Sequence, residues 1–264
     1  MTIVSTETNY SLAELLSCVA SRMLEDNRAV FVGTGLPMIA TMLAQRTHAP
    51  NILLVFEAGG VGPRVPQLPI SVGDSRTFHQ AVAATSMHDV MSAAQAGYVD
   101  YGFLGAAAMN AYGDINTTVI GSWERPKVRL PGSGGANDVG SFCWRTIYMM
   151  RNQSTRTFVK ELDYLTTPGW LGGPGRREAA GLPAGGGPYR VITQLGVYRF
   201  DQTTRRLKLL SLHPGITVDD VQASSQFEIT IPEKVMATQP PTPEERRLLR
   251  EIDPEGIVLD KGDG

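Results

Sequence analysis

Apolar residues in this chain fall into short unbroken runs separated by stripes at helical spacing. Leu12, Leu15, Leu16, Val19 and Met23 form the first stripe. It predicts a helix reaching Asp26, with Ser11 as N-cap and Glu14 closing a capping box. Asn27-Arg28 interrupts it, and Ala29-Val30-Phe31-Val32 follows with no polar alternation, the pattern of a strand buried on both faces. Gly33-Thr34-Gly35-Leu36-Pro37 then leads into a second apolar helix, Met38 to Gln45. Ile52 to Phe56 repeats the buried-strand pattern and ends on Glu57-Ala58-Gly59-Gly60, a lone carboxylate followed by backbone able to bend sharply. Strand ends of open parallel sheets are where such folds place their chemistry, so Glu57 is a candidate nucleophile or base. The alternative is an ordinary acid in a turn.

The same alternation continues downstream. Three prolines between Val61 and Ser71 predict a loop lying near Glu57. Met87 to Ala96 is amphipathic and stops at Gly97, and Tyr101-Gly102-Phe103-Leu104 predicts a third buried strand. Ile115 to Ile120, rich in Thr and Ile, reads as strand. Leu130-Pro131-Gly132-Ser133-Gly134-Gly135-Ala136-Asn137-Asp138 gives a second glycine turn, which Asn137 and Asp138 can make compact. Ile147 to Met150 is another strand. Glycine, proline and arginine dominate from Pro168 to Pro188, predicting a long loop or lid, with Trp170 too apolar to be left in water. Tyr189–Thr193 and Val197–Phe200 flank Gln194-Leu195-Gly196 as a hairpin, to which Leu207–Leu212 can add a strand. A charged helix from Pro243 to Ile252 closes the pattern, and the tail from Asp253 is expected to be loose. Together these elements predict an α/β fold: one open α/β/α domain over residues 1–264 with a mostly parallel sheet, an added C-terminal hairpin, and loose termini at 1–10 and 254–264.

Composition narrows the function class. The 24 basic and 26 acidic residues leave a net charge of −2 with no basic block, so neither nucleic acid nor an anionic membrane is an expected partner. No apolar run approaches a membrane span, and Met1 to Tyr10 lacks a signal-peptide core. Cys18 and Cys143 sit in apolar surroundings without CxxC spacing, favouring reduced thiols in a cytoplasmic protein over a disulfide or zinc site.

Candidate chemistry is reached partly by elimination. No Gly-x-Ser-x-Gly elbow is present, and His48, His79, His88 and His213 show no metal-ligand spacing. The Gly33-Thr34-Gly35 turn lacks the Gly-Lys-Ser/Thr of a phosphate loop, and Met38 stands where GxGxxG requires glycine. What remains is a strand-end carboxylate with a glycine turn on either side of it in sequence. A carboxylate nucleophile suits an activated acyl substrate: attack gives an anhydride, and the tetrahedral oxyanion needs backbone N–H donors such as a glycine turn offers.

The chain also resembles the family I coenzyme A transferases, and within them the beta subunits of the glutaconate type, over roughly residues 10–255. The landmarks are Val32 to Pro37, Val55 to Gly59 around Glu57, Ser71-Val72-Gly73-Asp74, Leu104-Gly105-Ala106, Tyr112 to Asn116 and Gly132 to Asp138. Further ones are Asp163-Tyr164, Thr167-Pro168-Gly169-Trp170, Gly173-Pro174-Gly175, Leu195-Gly196-Val197 and Ile252-Asp253-Pro254. The resemblance implies a glutamate nucleophile at Glu57 that carries a glutamyl-CoA thioester in a ping-pong cycle. It further implies oxyanion-hole amides at Gly134, Gly135 and Ala136, with Gly33, Thr34 and Gly35 lining the CoA site. Coenzyme A thioester is then a substrate, with no tightly bound cofactor and no metal, and the partner is an alpha-type subunit sharing the active site. One departure stands beside the nucleophile: Ala58 occupies a position where many relatives carry serine or asparagine. Two other readings stay open, an acyl-CoA hydrolase, ring-opening hydrolase or decarboxylase on the same scaffold, and a non-catalytic ligand-binding regulator.

Overall fold

The structure, a computed structural model, describes residues 9–260. Its centre is a ten-stranded sheet. Five strands run parallel in the middle, in the order Pro188–Thr193, Arg145–Met150, Tyr101–Leu104, Ala29–Val32, Leu53–Phe56. Beyond Leu53–Phe56 the short strands Gly60–Val61 and Ala83–Ala84 are added antiparallel. At the other edge Gly196–Phe200 and Leu207–Leu212 extend the sheet antiparallel, and Met236–Ala237 pairs parallel with the last of these. The expected hairpin and its third strand are therefore in place on a mostly parallel core.

The unbroken apolar runs are explained by burial on both faces. Val30, Val32, Leu54 and Phe56 point into one core, beneath the helices Leu12–Ser21, Leu36–Arg46 and Pro243–Ile252. Phe31 and Val55 point into the other, with Val90 and Ala94 of helix Met87–Gln95 and Val139 of helix Ala136–Phe142. Each such fully buried side chain contributes roughly 1.5–3 kcal/mol. The chain leaves Ala29–Val32 for its neighbour on one side through helix Leu36–Arg46 on the first face. It reaches the neighbour on the other side, Tyr101–Leu104, through helix Met87–Gln95 on the second. Connections that diverge from one strand in this way open a crevice at the carboxyl ends of the strands.

Several elements differ from the sequence reading. The first helix ends at Ser21, not Asp26, because the Asp26 carboxylate instead accepts from the Asn51 backbone N–H at 2.7 Å and pulls the chain into a turn, with Asn27 at φ 59°. The segment Ile115 to Ile120 is not one strand: buried Asn116 accepts from the Thr118 and Val119 N–H groups and turns the chain. Its halves consequently pair in two separate small sheets, Ile115–Asn116 with Ala108–Met109 and Val119–Gly121 with Pro126–Arg129. Pro168 to Pro188 is the long loop expected, interrupted by the short helix Arg176–Ala179; Trp170 (8% exposed) and Arg177 (0%) anchor it, while Pro174 to Arg176 and Glu178 to Gly181 stay exposed. The tail is ordered as far as Asp260, since the buried Asp253 carboxylate accepts from the N–H groups of Ile257, Val258 and Leu259 and seats Val258 and Leu259 in the core. Residues 1–8 and 261–264, also expected to be loose, lie outside the described residues.

Candidate active site

Glu57 stands on the corner of a tight hairpin. The Gly59 N–H donates to Phe56 C=O at 2.9 Å, closing a turn with Glu57 and Ala58 at its centre, and Val61 then pairs back on Val55. Gly59 is required here twice over. Its φ is +107°, and a Cβ at this position would stand 2.0 Å from Thr85 C=O. The turn thus lifts one half-buried carboxylate off the end of a buried strand. The register that pairs Val32 with Phe56 sets Gly33 beside it on the neighbouring strand.

The second glycine turn arrives from 78 positions down the chain to meet this carboxylate: a Cβ built on Gly135 would be 3.2 Å from Glu57 Oε1 and 2.6 Å from Met91 Cε. The turn leads straight into helix Ala136–Phe142, an element the sequence reading missed because Gly140 and few apolar residues hide its stripe. Ser133 folds the entry, its C=O accepting from the Ala136 N–H at 2.9 Å and its Oγ from the Asn137 N–H at 3.2 Å. Asn137 Nδ2 ties the turn to Thr166 C=O at 3.0 Å. The Ala136 amide is therefore engaged. The Gly134 and Gly135 amides donate to no acceptor among the described residues, and neither hydrogen bond nor ion pair among them reaches the Glu57 carboxylate. An acid thus lies against a turn that carries two amides without an acceptor among the described residues.

A cleft of about 400 Å³ adjoins it, with Gly33, Thr34 and Pro37 on one wall, Leu130 to Ser133 and Ala136 on another, and Leu104 to Ala107 as floor. Neither Glu57 nor Gly134 and Gly135 line this cleft; Ser133 and Ala136, which flank the two glycines in sequence, do. The amides of Gly33, Thr34 and Gly35 likewise have no acceptor among the described residues, and Gly35 (φ +78°) is the N-cap of helix Leu36–Arg46. All the expected site residues thus gather at one end of the sheet. Met91 and Ser133 were not anticipated; the Ser133 signal was legible as a helix-entry hydroxyl, that of Met91 was not.

Other chemistry is remote. Burial pushes the Cys18 and Cys143 thiols up to about 12, leaving both as neutral core residues. Among the described residues no group of three or more His, Cys, Asp or Glu side chains is placed to hold a metal ion, and no helix is long and apolar enough to cross a membrane.

A doubly wound sheet with a carboxylate and two glycine turns at its switch point defines a class, and comparison with known proteins identifies it. Residues 14–224 match the family Coenzyme A transferase. The chain is 37% identical to the beta subunit of 3-oxoadipate CoA-transferase from Pseudomonas knackmussii, across 92% of this chain and 94% of that one. It is 34% identical to the beta subunit of glutaconate CoA-transferase from Acidaminococcus fermentans, across 94% of each. The crystal structure of glutaconate coenzyme A-transferase from that organism superposes with a TM-score of 0.90 at 33% identity, covering 97% of this chain and 99% of that one. The decarboxylase AibA/AibB superposes at 0.81 with 26% identity, covering 95% and 98%. This chain belongs to the coenzyme A transferase family.

Proposed function

We propose that this protein is the catalytic beta subunit of a two-subunit CoA-transferase that moves coenzyme A between carboxylic acids, with Glu57 as nucleophile. The observation that carries the reading is the half-buried Glu57 carboxylate lying against Gly135, in a turn whose Gly134 and Gly135 amides have no acceptor among the described residues. A Glu57 oxygen attacks the thioester carbonyl of the donor acyl-CoA. The carbonyl oxygen becomes an oxyanion held by the two N–H groups, and CoA thiolate leaves, giving a mixed anhydride. The thiolate then attacks the glutamyl carbonyl, expelling the donor as free carboxylate and leaving a glutamyl-CoA thioester. An acceptor carboxylate runs the same steps backwards, so atoms and charge balance without a metal or redox group. Gly33, Thr34 and Ala136 line the cleft that takes the pantetheine arm.

Relatives named for glutaconate and 3-oxoadipate, both dicarboxylic acids, support a dicarboxylic acyl group, and their designation as one subunit of a larger enzyme supports an alpha-type partner that completes the site. Glu57→Ala is expected to abolish transfer while leaving the two-subunit complex intact, and Glu57→Asp to cost about a hundredfold, because one methylene withdraws the oxygen by roughly 1.5 Å. The deciding measurement is acyl-CoA supplied without acceptor. One equivalent of hydroxylamine-sensitive CoA adduct on Glu57 supports transfer. Continuous CoA release would move the assignment to hydrolysis, and near-normal turnover by Glu57→Ala would remove the nucleophile altogether.

A further inference from the structure

The Gly134–Gly135 turn is only as well placed as the helix it opens, and the far end of that helix is held by an unusual group. Arg177 is fully buried. Its Nη2 donates to Gly140 C=O at 3.2 Å and Ser141 C=O at 3.1 Å, the last-turn carbonyls of helix Ala136–Phe142. Its Nη1 donates to Pro168 C=O at 3.1 Å and Gly169 C=O at 2.9 Å. No carboxylate pairs with it among the described residues, and its Nε has no partner. A lone buried cation is costly unless something offsets its desolvation. Here the offset is four carbonyls and the negative end of a helix.

The crossing at Pro168-Gly169 is itself anchored. Buried Asp114 accepts from the Gly169 N–H at 2.7 Å and the Leu171 N–H at 3.0 Å, so the Pro168–Gly169 peptide links the Asp114 carboxylate to the Arg177 guanidinium. Space is tight throughout. A Cβ at Gly169 would be 2.2 Å from the Gly113 carbonyl carbon, and one at Gly140 would be 2.2 Å from Thr167 Cγ2. The helix of seven residues is about 10 Å long, short enough for its two ends to move as one body.

We propose that Arg177 is a positioning residue. By clamping the C-terminal carbonyls of helix Ala136–Phe142 to the Pro168–Gly169 crossing, it fixes the Gly134 and Gly135 amides at the other end against Glu57. The inference rests on the role of Glu57 given above. A flexible lysine keeps the charge but cannot fork to both pairs of carbonyls, and a methionine fills the volume with neither charge nor donor.

The test compares wild type, Arg177→Lys and Arg177→Met as complexes with the alpha-type partner. Single-turnover formation of the CoA adduct on Glu57 gives a rate constant and an amplitude, and hydrogen exchange is followed over residues 133–142. The adduct rate constant is expected to fall about tenfold in Arg177→Lys and about a hundredfold in Arg177→Met, as for an ångström-scale misplacement. The dissociation constant for free CoA should change little, and exchange over 133–142 should rise. A reduced amplitude with an unchanged rate constant would mean only less folded protein and would overturn the proposal. So would wild-type exchange over 133–142. If Arg177→Met does not accumulate as a complex, Arg177→Lys decides by the same criteria. Should wild type itself form no adduct on Glu57, the nucleophile assignment fails instead, and exchange in the lysine variant alone then confirms or overturns the clamp.

Discussion

At the scale of single residues, the site turns on two positions where a side chain is missing. Gly59 frees the corner that carries Glu57, and Gly135 leaves the space into which the Glu57 carboxylate and Met91 project. The two glycines act differently. Gly59 needs its positive φ, whereas Gly135 sits at φ −79°, ψ 0°, a conformation open to any residue. Gly135→Ala is therefore a purely steric lesion, with a methyl 3.2 Å from Glu57 Oε1. Turnover is expected to drop roughly ten- to a hundredfold while KM for acyl-CoA stays near wild type. Steady-state kinetics checks it, and a rise in KM at unchanged kcat would argue that the turn binds substrate rather than the oxyanion. Sequence alone singled out Glu57 and both glycine turns, because glycine and a strand-end acid are local signals. It gave no sign of Met91, whose place at the site depends on how helix Met87–Gln95 lies across the sheet.

Elements were legible in proportion to their caps and stripes. Helix Leu12–Ser21 starts where Ser11 and Glu14 form a reciprocal capping box, and Pro243–Ile252 starts on the same device at Thr242 and Glu245. Thr242 Oγ1 accepts from the Glu245 N–H at 3.2 Å, and Glu245 Oε2 also meets Arg22 at 2.6 Å, so this cap docks the last helix on the first. Thr242→Ala is expected to lower stability by about 1 kcal/mol. Equilibrium denaturation reads this directly, and no shift in midpoint would mean that burial of Leu248, Leu249 and Ile252 places the helix without its cap. The short helices Ala136–Phe142 and Val218–Ala223, like the single turn Arg176–Ala179, escaped the sequence reading. None is long enough for a full apolar stripe, although Thr217 and Asp220 do carry the capping-box signature.

At the scale of the whole molecule, one edge of the sheet is held together through buried polar groups. His213 bridges strand ends: its Nε2 lies 2.8 Å from Thr193 C=O and its Nδ1 3.0 Å from Thr238 Oγ1. A carbonyl can only accept, so Nε2 carries the proton and Nδ1 accepts from the threonine hydroxyl. Burial holds the imidazole below its ordinary pKa, against the opposing pull of the Thr193 carbonyl. The unfolded chain therefore binds the proton first as pH falls. Stability from this group is complete above about pH 6.5 and is lost as pH drops toward the lower folded value, with a slope of at most about 1.4 kcal/mol per pH unit. Denaturation midpoints at pH 7.5 and 5 should differ in wild type by more than in His213→Gln. Equal differences would show that other groups set the acid limit.

The sequence by itself determined the alternation of buried strands and helices, the acid at the end of Leu53–Phe56, and the two glycine turns, because each is written in neighbouring residues. It also pointed to the family, through ordered landmarks along nearly the whole chain. Tertiary structure decided what those landmarks do. Thr167 to Trp170 and Gly113-Asp114 cross backbone against backbone, and Arg177 ties that crossing to the helix behind the Gly134–Gly135 turn. It also decided which amides are free, leaving Gly134 and Gly135 open while Ser133 takes the Ala136 N–H. Hydrogen-bond partners are set by the path of the chain through space, and residues 78 positions apart meet only once the sheet has folded.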